Sequence, residues 1–187
     1  MAFYVIDGMD GVGKDSVADA LVTLLESKGR RVSCYRHPSD SNLFGRISSD
    51  SLTRDGPVNE AVRSVTYLLD LLVSSIRKYG DDADDIIFVR YSMSALYLPR
   101  PLSKILFNLV SLILPTPEFG ILIDVPADIA MQRITSRGER MEVYENYSKL
   151  MTLRLDMLHH AILRGWHILD NRGSHEDMLD RLRNMVL

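Results

Sequence analysis

The sequence predicts an α/β fold in which a parallel sheet of about five strands carries helices on both faces, three layers in all. Three observations predict it. The runs Phe3-Tyr4-Val5-Ile6, Ile86-Ile87-Phe88-Val89 and Ile121-Leu122-Ile123 are apolar without alternation, as strands covered on both faces are. Segments of helical period separate these runs. Between the first strand and the first helix stands the glycine-rich run Gly8-Met9-Asp10-Gly11-Val12-Gly13-Lys14.

The elements follow in order. Val17, Leu21, Leu24 and Leu25 make one face of a helix that opens at Lys14, and Gly29 is its expected C-cap. Arg31 to Arg36 suits a second strand. His37 to Pro57 is polar, with a short helix expected around Leu43 to Leu52. Asn59 to Tyr79 reads as a long helix ended by Gly80, and Ile86 to Arg90 as the third strand. Leu102 to Leu114 is the most apolar stretch; interrupted by Lys104 and Asn108 and stopped by Pro115, it is too short for a bilayer and suits a core or dimer-facing helix. Ile121 to Pro126 is the fourth strand, and Ala127 opens a helix. A polar, arginine-rich segment precedes a helix from Asn146 to Arg164. Trp166 to Asp170 is the last strand, and Glu176 to Met185 the closing helix. At 187 residues, 1–187 is expected to be one domain.

A strand, a glycine loop and a helix in that order form a phosphate-binding site. Backbone N–H groups converge on phosphate oxygens, and the helix N-terminus adds positive potential. Gly8, Met9, Asp10, Gly11, Val12, Gly13, Lys14, Asp15 and Ser16 are the expected nucleotide-binding residues, with Lys14 reaching the terminal phosphates. A nucleoside triphosphate with Mg²⁺ is the expected ligand. The usual hydroxyl after the lysine, a Mg²⁺ ligand, is replaced by Asp15, so Asp15 or Ser16 is expected to hold the metal.

Composition narrows the partners. The net charge is −3, and the absence of a long basic run argues against a nucleic acid polymer. Cys34 is the sole cysteine, which excludes an intramolecular disulfide and suits a reducing cytoplasm. No membrane segment and no secretory leader are expected, nor a metal site built from histidine or cysteine. The acidic run Asp81-Asp82-Ala83-Asp84-Asp85 precedes its strand, so it is expected to be a solvated loop away from the ligand side.

Several segments together resemble one family, the thymidylate kinases of the P-loop kinase group. Phe3 to Lys14 is similar to the family's opening strand and loop, including the acid within the loop at Asp10. Tyr35-Arg36-His37-Pro38 resembles an Arg-Glu-Pro segment, and Val89-Arg90-Tyr91-Ser92-Met93-Ser94 an Asp-Arg-Tyr-x-x-Ser segment. Ile123-Asp124-Val125-Pro126, Arg137-Gly138-Glu139-Arg140-Met141-Glu142 and Leu169-Asp170-Asn171 follow collinearly. The resemblance implies transfer of the ATP γ-phosphoryl group to a nucleoside monophosphate, dTMP first, by a homodimer. It implies Lys14 on the β and γ phosphates, Arg90 on the acceptor phosphate and Asp10 on the acceptor 3′-hydroxyl. A lid at about 137–147 would deliver Arg137 and Arg140, with Arg133 nearby; position 11 is glycine where some members carry arginine, so lid arginines must serve. Arg36, Pro38, Tyr67, Asp70, Arg90 and Tyr91 are the implied acceptor contacts, and Asn171 lies near adenine. Asp124 is either a metal ligand or a helix cap.

The departures count too. Leu71 replaces an arginine, Val89 the aspartate before Arg90, and Asp15 the hydroxyl. They predict weak discrimination among acceptors, and keep open a kinase for another nucleotide or nucleoside, or a nucleotide-binding regulator that has lost transfer.

Overall fold

The computed structural model describes residues 1–51, 56–98, 102–136 and 147–186. Its strands are β1 (Ala2–Asp7), β2 (Val32–Arg36), β3 (Asp85–Val89), β4 (Phe119–Asp124) and β5 (His167–Asp170). They form one sheet in the order β2-β3-β1-β4-β5, parallel at every pairing. The helices are α1 (Lys14–Glu26), α2 (Leu43–Asp50), α3 (Pro57–Lys78), α4 (Leu102–Ile113), α5 (Ala127–Ser136), α6 (Tyr147–Leu163) and α7 (His175–Val186).

Successive residues of a strand point to opposite faces. Every residue from Ile86 to Val89 and from Phe3 to Asp7 is buried, so both faces of the central strands are covered. β2 and β5, at the edges, are only half-buried. Parallel strands put all their C-terminal ends on one side. Strand order reverses at β1, with β3 on one flank and β4 on the other. In open α/β sheets that reversal opens the ligand crevice.

The expected five-stranded parallel α/β sheet is what forms, and three details differ from the sequence reading. Ser92–Tyr97 is a 3₁₀ helix, too short to leave a periodic signal. α3 begins at Pro57, whose fixed φ suits a first helical position. The acidic run is not simply a solvated loop. Asp85 is fully buried and ion-paired with Arg30, Asp84 accepts the Arg31 N–H at 3.0 Å, and Asp81 accepts the Tyr35 hydroxyl at 2.7 Å. These carboxylates anchor the N-terminal end of β3 rather than face a ligand. Among the described residues no helix is long and apolar enough to cross a membrane; α4 buries Phe107 and Val110 and exposes Ile105, Leu109 and Leu112.

Candidate active site

The loop after β1 is shaped by glycine and pinned from three sides. Gly13, the N-cap of α1, has φ +88°, and a Cβ there would lie 2.8 Å from the Asn171 amide nitrogen. That amide donates to Val12 O at 2.7 Å, and Arg133 donates to Val12 O at 3.5 Å and to Asn171 O at 2.9 Å. Gly11 sits against α5, where a Cβ would meet Ala130 O at 2.4 Å in a backbone of φ +79°. A side chain at position 11 therefore has no room without a shift of α5.

Lys14 is buried, with Nζ donating to Gly8 O at 2.9 Å, Met9 O at 2.8 Å and Asp10 Oδ1 at 3.4 Å. Arg90 Nη2 reaches the same Asp10 oxygen at 2.9 Å. Burial alone would raise the Asp10 carboxyl, but Lys14 and Arg90 outweigh it and hold it well below the usual carboxylate range. Burial and the like charge of Arg90 push the Lys14 ammonium down, and Asp10 opposes them.

Asp7, which the sequence reading assigned no role, organises this corner. It is fully buried and accepts N–H bonds from Gly8 at 3.0 Å, Tyr91 at 3.0 Å and Met93 at 3.2 Å. Arg90, directly before Tyr91, has φ +62°, an uncommon conformation for a residue with a side chain. Its own N–H bonds Ile6 O at 2.9 Å. The end of β1 thus sets the backbone that aims Arg90. An acid directly before the first glycine was the available signal.

Beside this corner lies a cavity walled by α3, the loop after β2, the turn after β3 and α4. Its lining includes Asp10, Pro38, Tyr67, Leu71, Arg90 and Tyr91. Arg63, Ser94 and Tyr97 also line it, none of them singled out by the sequence reading. The Tyr67 hydroxyl donates to Ser94 Oγ at 2.9 Å and lies 3.5 Å from Tyr91 O. Leu71 and Val89 are almost fully buried.

Other expected contacts lie elsewhere. Asp70 does not line the cavity: fully buried, it accepts from Ser39 N at 2.8 Å, Ser39 Oγ at 2.7 Å and Asn42 Nδ2 at 2.6 Å, fixing the loop after β2. Arg36 is turned onto α1, where it pairs with Asp19 and lies 3.4 Å from Asp15. Ser16 is exposed in a groove between α1 and α7. Asp124 is bound by both Arg154 Nε and Nη2 at 2.7 Å, so its carboxylate serves an ion pair. Arg137 and Arg140, with residues 137–146 of the lid expected at about 137–147, lie outside the described residues; Tyr147 is the first residue of α6.

No group of three or more His, Cys, Asp or Glu residues suited to a metal occurs among the described residues. Mg²⁺ in nucleotide sites usually takes one or two carboxylates and completes its shell with phosphates and water. The exposed Asp15 carboxylate, next to Lys14 at the start of α1, fits that requirement.

A parallel sheet with a glycine loop at its switch point, a buried lysine on that loop and an arginine-lined cavity beside it define a P-loop kinase. The sequence matches the thymidylate kinase family over residues 6–182. The chain belongs to that family. It is 30% identical to a probable thymidylate kinase of Pyrobaculum aerophilum, over 100% of this chain and 96% of that one. With the thymidylate kinase of Rhodopirellula baltica it shares 27% identity over 97% of this chain and 78% of the relative. With a probable thymidylate kinase of Archaeoglobus fulgidus it shares 27% over 83% and 80%.

Proposed function

We propose that the protein transfers the γ-phosphoryl group of ATP to a nucleoside monophosphate, with dTMP giving dTDP as the first reaction. The observation that carries this reading is the convergence of Lys14 and Arg90 on Asp10. The cation of the phosphate loop and the cation of the acceptor cavity share one carboxylate, so donor and acceptor sites share a wall.

Phosphoryl transfer is chiefly positioning and charge stabilisation. Loop N–H groups and Lys14 bind the donor phosphates; on their arrival Lys14 exchanges Gly8 O and Met9 O for phosphate oxygens. Arg90 holds the acceptor phosphate in line, its guanidinium fork matching two oxygens. Asp10 takes the acceptor 3′-hydroxyl while keeping Arg90 oriented. The base lies against Tyr67 and Pro38, and Arg137 and Arg140 close over the transferring group and exclude water. Asp15 would hold Mg²⁺, which neutralises charge on the phosphate oxygens when bound.

A small nucleotide rather than a polymer is the partner, given the net charge of −3. The exposed leucine and isoleucine residues of α4 support a homodimer, and the single cysteine a cytoplasmic setting. A coupled ATP-consumption assay across dTMP, dUMP, dCMP and dGMP tests the reading. Turnover dependent on an acceptor, dTMP foremost, is expected; ATP loss indifferent to every acceptor contradicts it.

A further inference from the structure

Leu71 gives the cavity a buried apolar contact on α3, and the same helix face brings a cation to it. Arg63, Tyr67 and Leu71 follow one another at four-residue spacing, so they lie in one row along α3. All three line the cavity. Tyr67 stands in the middle, fixed across the cavity by its bond to Ser94. Leu68, Leu106 and Val110 line the cavity as well, with Ser48 and Ser64.

Arg63 is itself 6% exposed. Its Nη1 donates to Ser51 O at 3.2 Å, which ties the guanidinium to the end of α2. Ser48 of α2 bonds Arg63 O at 3.5 Å, so the backbone beneath is held as well. Among the described residues, the cations that line the cavity are Arg63 and Arg90. Arg90 is engaged with Asp10 beside the phosphate loop. A guanidinium keeps its charge under all ordinary conditions and offers five donors in a planar fork.

We infer that Arg63 is a substrate-contact residue of this chain, supplying from one turn before Tyr67 a cationic acceptor contact that the apolar Leu71 does not give. The inference rests on the cavity being the acceptor site. A ring stacked on Tyr67 has Leu71 on one side and Arg63 on the other. The chemistry it recognises is an oxygen acceptor of a nucleoside monophosphate, either a base carbonyl or a phosphate oxygen.

The test uses the full chain with Arg63→Met, which keeps most of the stem, and Arg63→Lys, which keeps the charge without the fork. The KM for dTMP and for ATP, kcat, the thermal midpoint, and calorimetric affinity for dTMP and thymidine are measured. Arg63→Met is expected to raise the dTMP KM by at least about tenfold, the loss of one charge-assisted bond. The ATP KM and kcat stay near wild type, and Arg63→Lys recovers part of the loss. A loss shared by dTMP and thymidine places the fork on the base; a loss confined to dTMP places it on the phosphate. A dTMP KM within about twofold of wild type, or dTMP and ATP KM rising together with a lowered midpoint, overturns the inference. If Arg63→Met does not fold, Arg63→Lys decides alone, by a raised dTMP KM at unchanged ATP KM and midpoint. If the wild type turns over no acceptor, the transfer reading fails separately, and the same loss in calorimetric dTMP affinity still upholds the role of Arg63.

Discussion

Arg90 Nη2 lies 2.9 Å from Asp10 Oδ1, across the gap between the turn after β3 and the loop after β1. Lys14 shares that oxygen at 3.4 Å. One carboxylate therefore balances two buried or half-buried cations, and its charge should matter for both stability and acceptor use. Asp10→Asn keeps the shape and removes the charge. The expected result is a loss of about 2 kcal/mol in urea unfolding, within the range for charge-assisted bonds, and a fall of about tenfold or more in kcat/KM for the acceptor. An unchanged unfolding midpoint would show that the carboxylate is not needed to hold the pair.

Two glycines with similar backbones separate strain from contact. Gly11 and Gly29 have φ of +79° and +76°, but a Cβ at Gly11 meets Ala130 O at 2.4 Å while one at Gly29 meets nothing within 4 Å. Gly29→Ala should cost about 1 kcal/mol from backbone strain alone. Gly11→Ala should cost clearly more and also weaken ATP binding, because α5 must move from the phosphate loop. Equal unfolding free energies for the two variants would contradict the packing argument.

His37 gives the protein an acid-sensitive element. Its Nδ1 lies 3.3 Å from Val89 O, a contact that requires the proton on Nδ1, and its buried Nε2 has no hydrogen-bond partner among the described residues. Burial pushes the imidazole below its ordinary value, with the Arg90 charge in the same direction and Asp70 opposed. A histidine that charges more readily unfolded than folded adds stability above the unfolded value, near pH 6.5, which is lost as pH falls below it. His37→Phe should therefore flatten the decline of stability below about pH 6.5, leaving a smaller slope from the half-buried His160, which burial also lowers. A wild-type slope retained in His37→Phe would remove His37 from this account.

On the proposed reading Asp15 sets the metal dependence. Its carboxylate would stand beside the ATP phosphates, with Arg36 at 3.4 Å as an exposed and screened counter-charge. ATP affinity should depend strongly on Mg²⁺, and Asp15→Thr should bind ATP more tightly than wild type without the metal. Equal metal-free affinities, measured by calorimetry, would contradict this.

The parts of the molecule legible in the sequence are those that signal locally. Unbroken apolar strands, helical periods and the glycine loop gave the sheet and the place of Lys14. What stayed hidden depends on the third dimension. Asp70, expected to contact the acceptor, instead binds the loop after β2, which its position on α3 could not reveal. Asp85 sits in an acidic run but is buried by Arg30, fifty-five residues earlier in the chain. Arg63 was passed over because its meaning comes from sharing a cavity wall with Tyr67 and Leu71. The 3₁₀ helix Ser92–Tyr97 is held by Asp7, a contact between distant segments.

The central claim is direct transfer from the nucleotide on the glycine loop to an acceptor held by Arg90. It is tested by giving the protein ATP labelled in the γ-phosphoryl group together with dTMP and Mg²⁺. The label is expected in dTDP with the wild type, and at least about a hundredfold more slowly with a folded Lys14→Ala, as for loss of a positioned cation. Label released only as inorganic phosphate, or a wild-type rate in Lys14→Ala, would contradict the account.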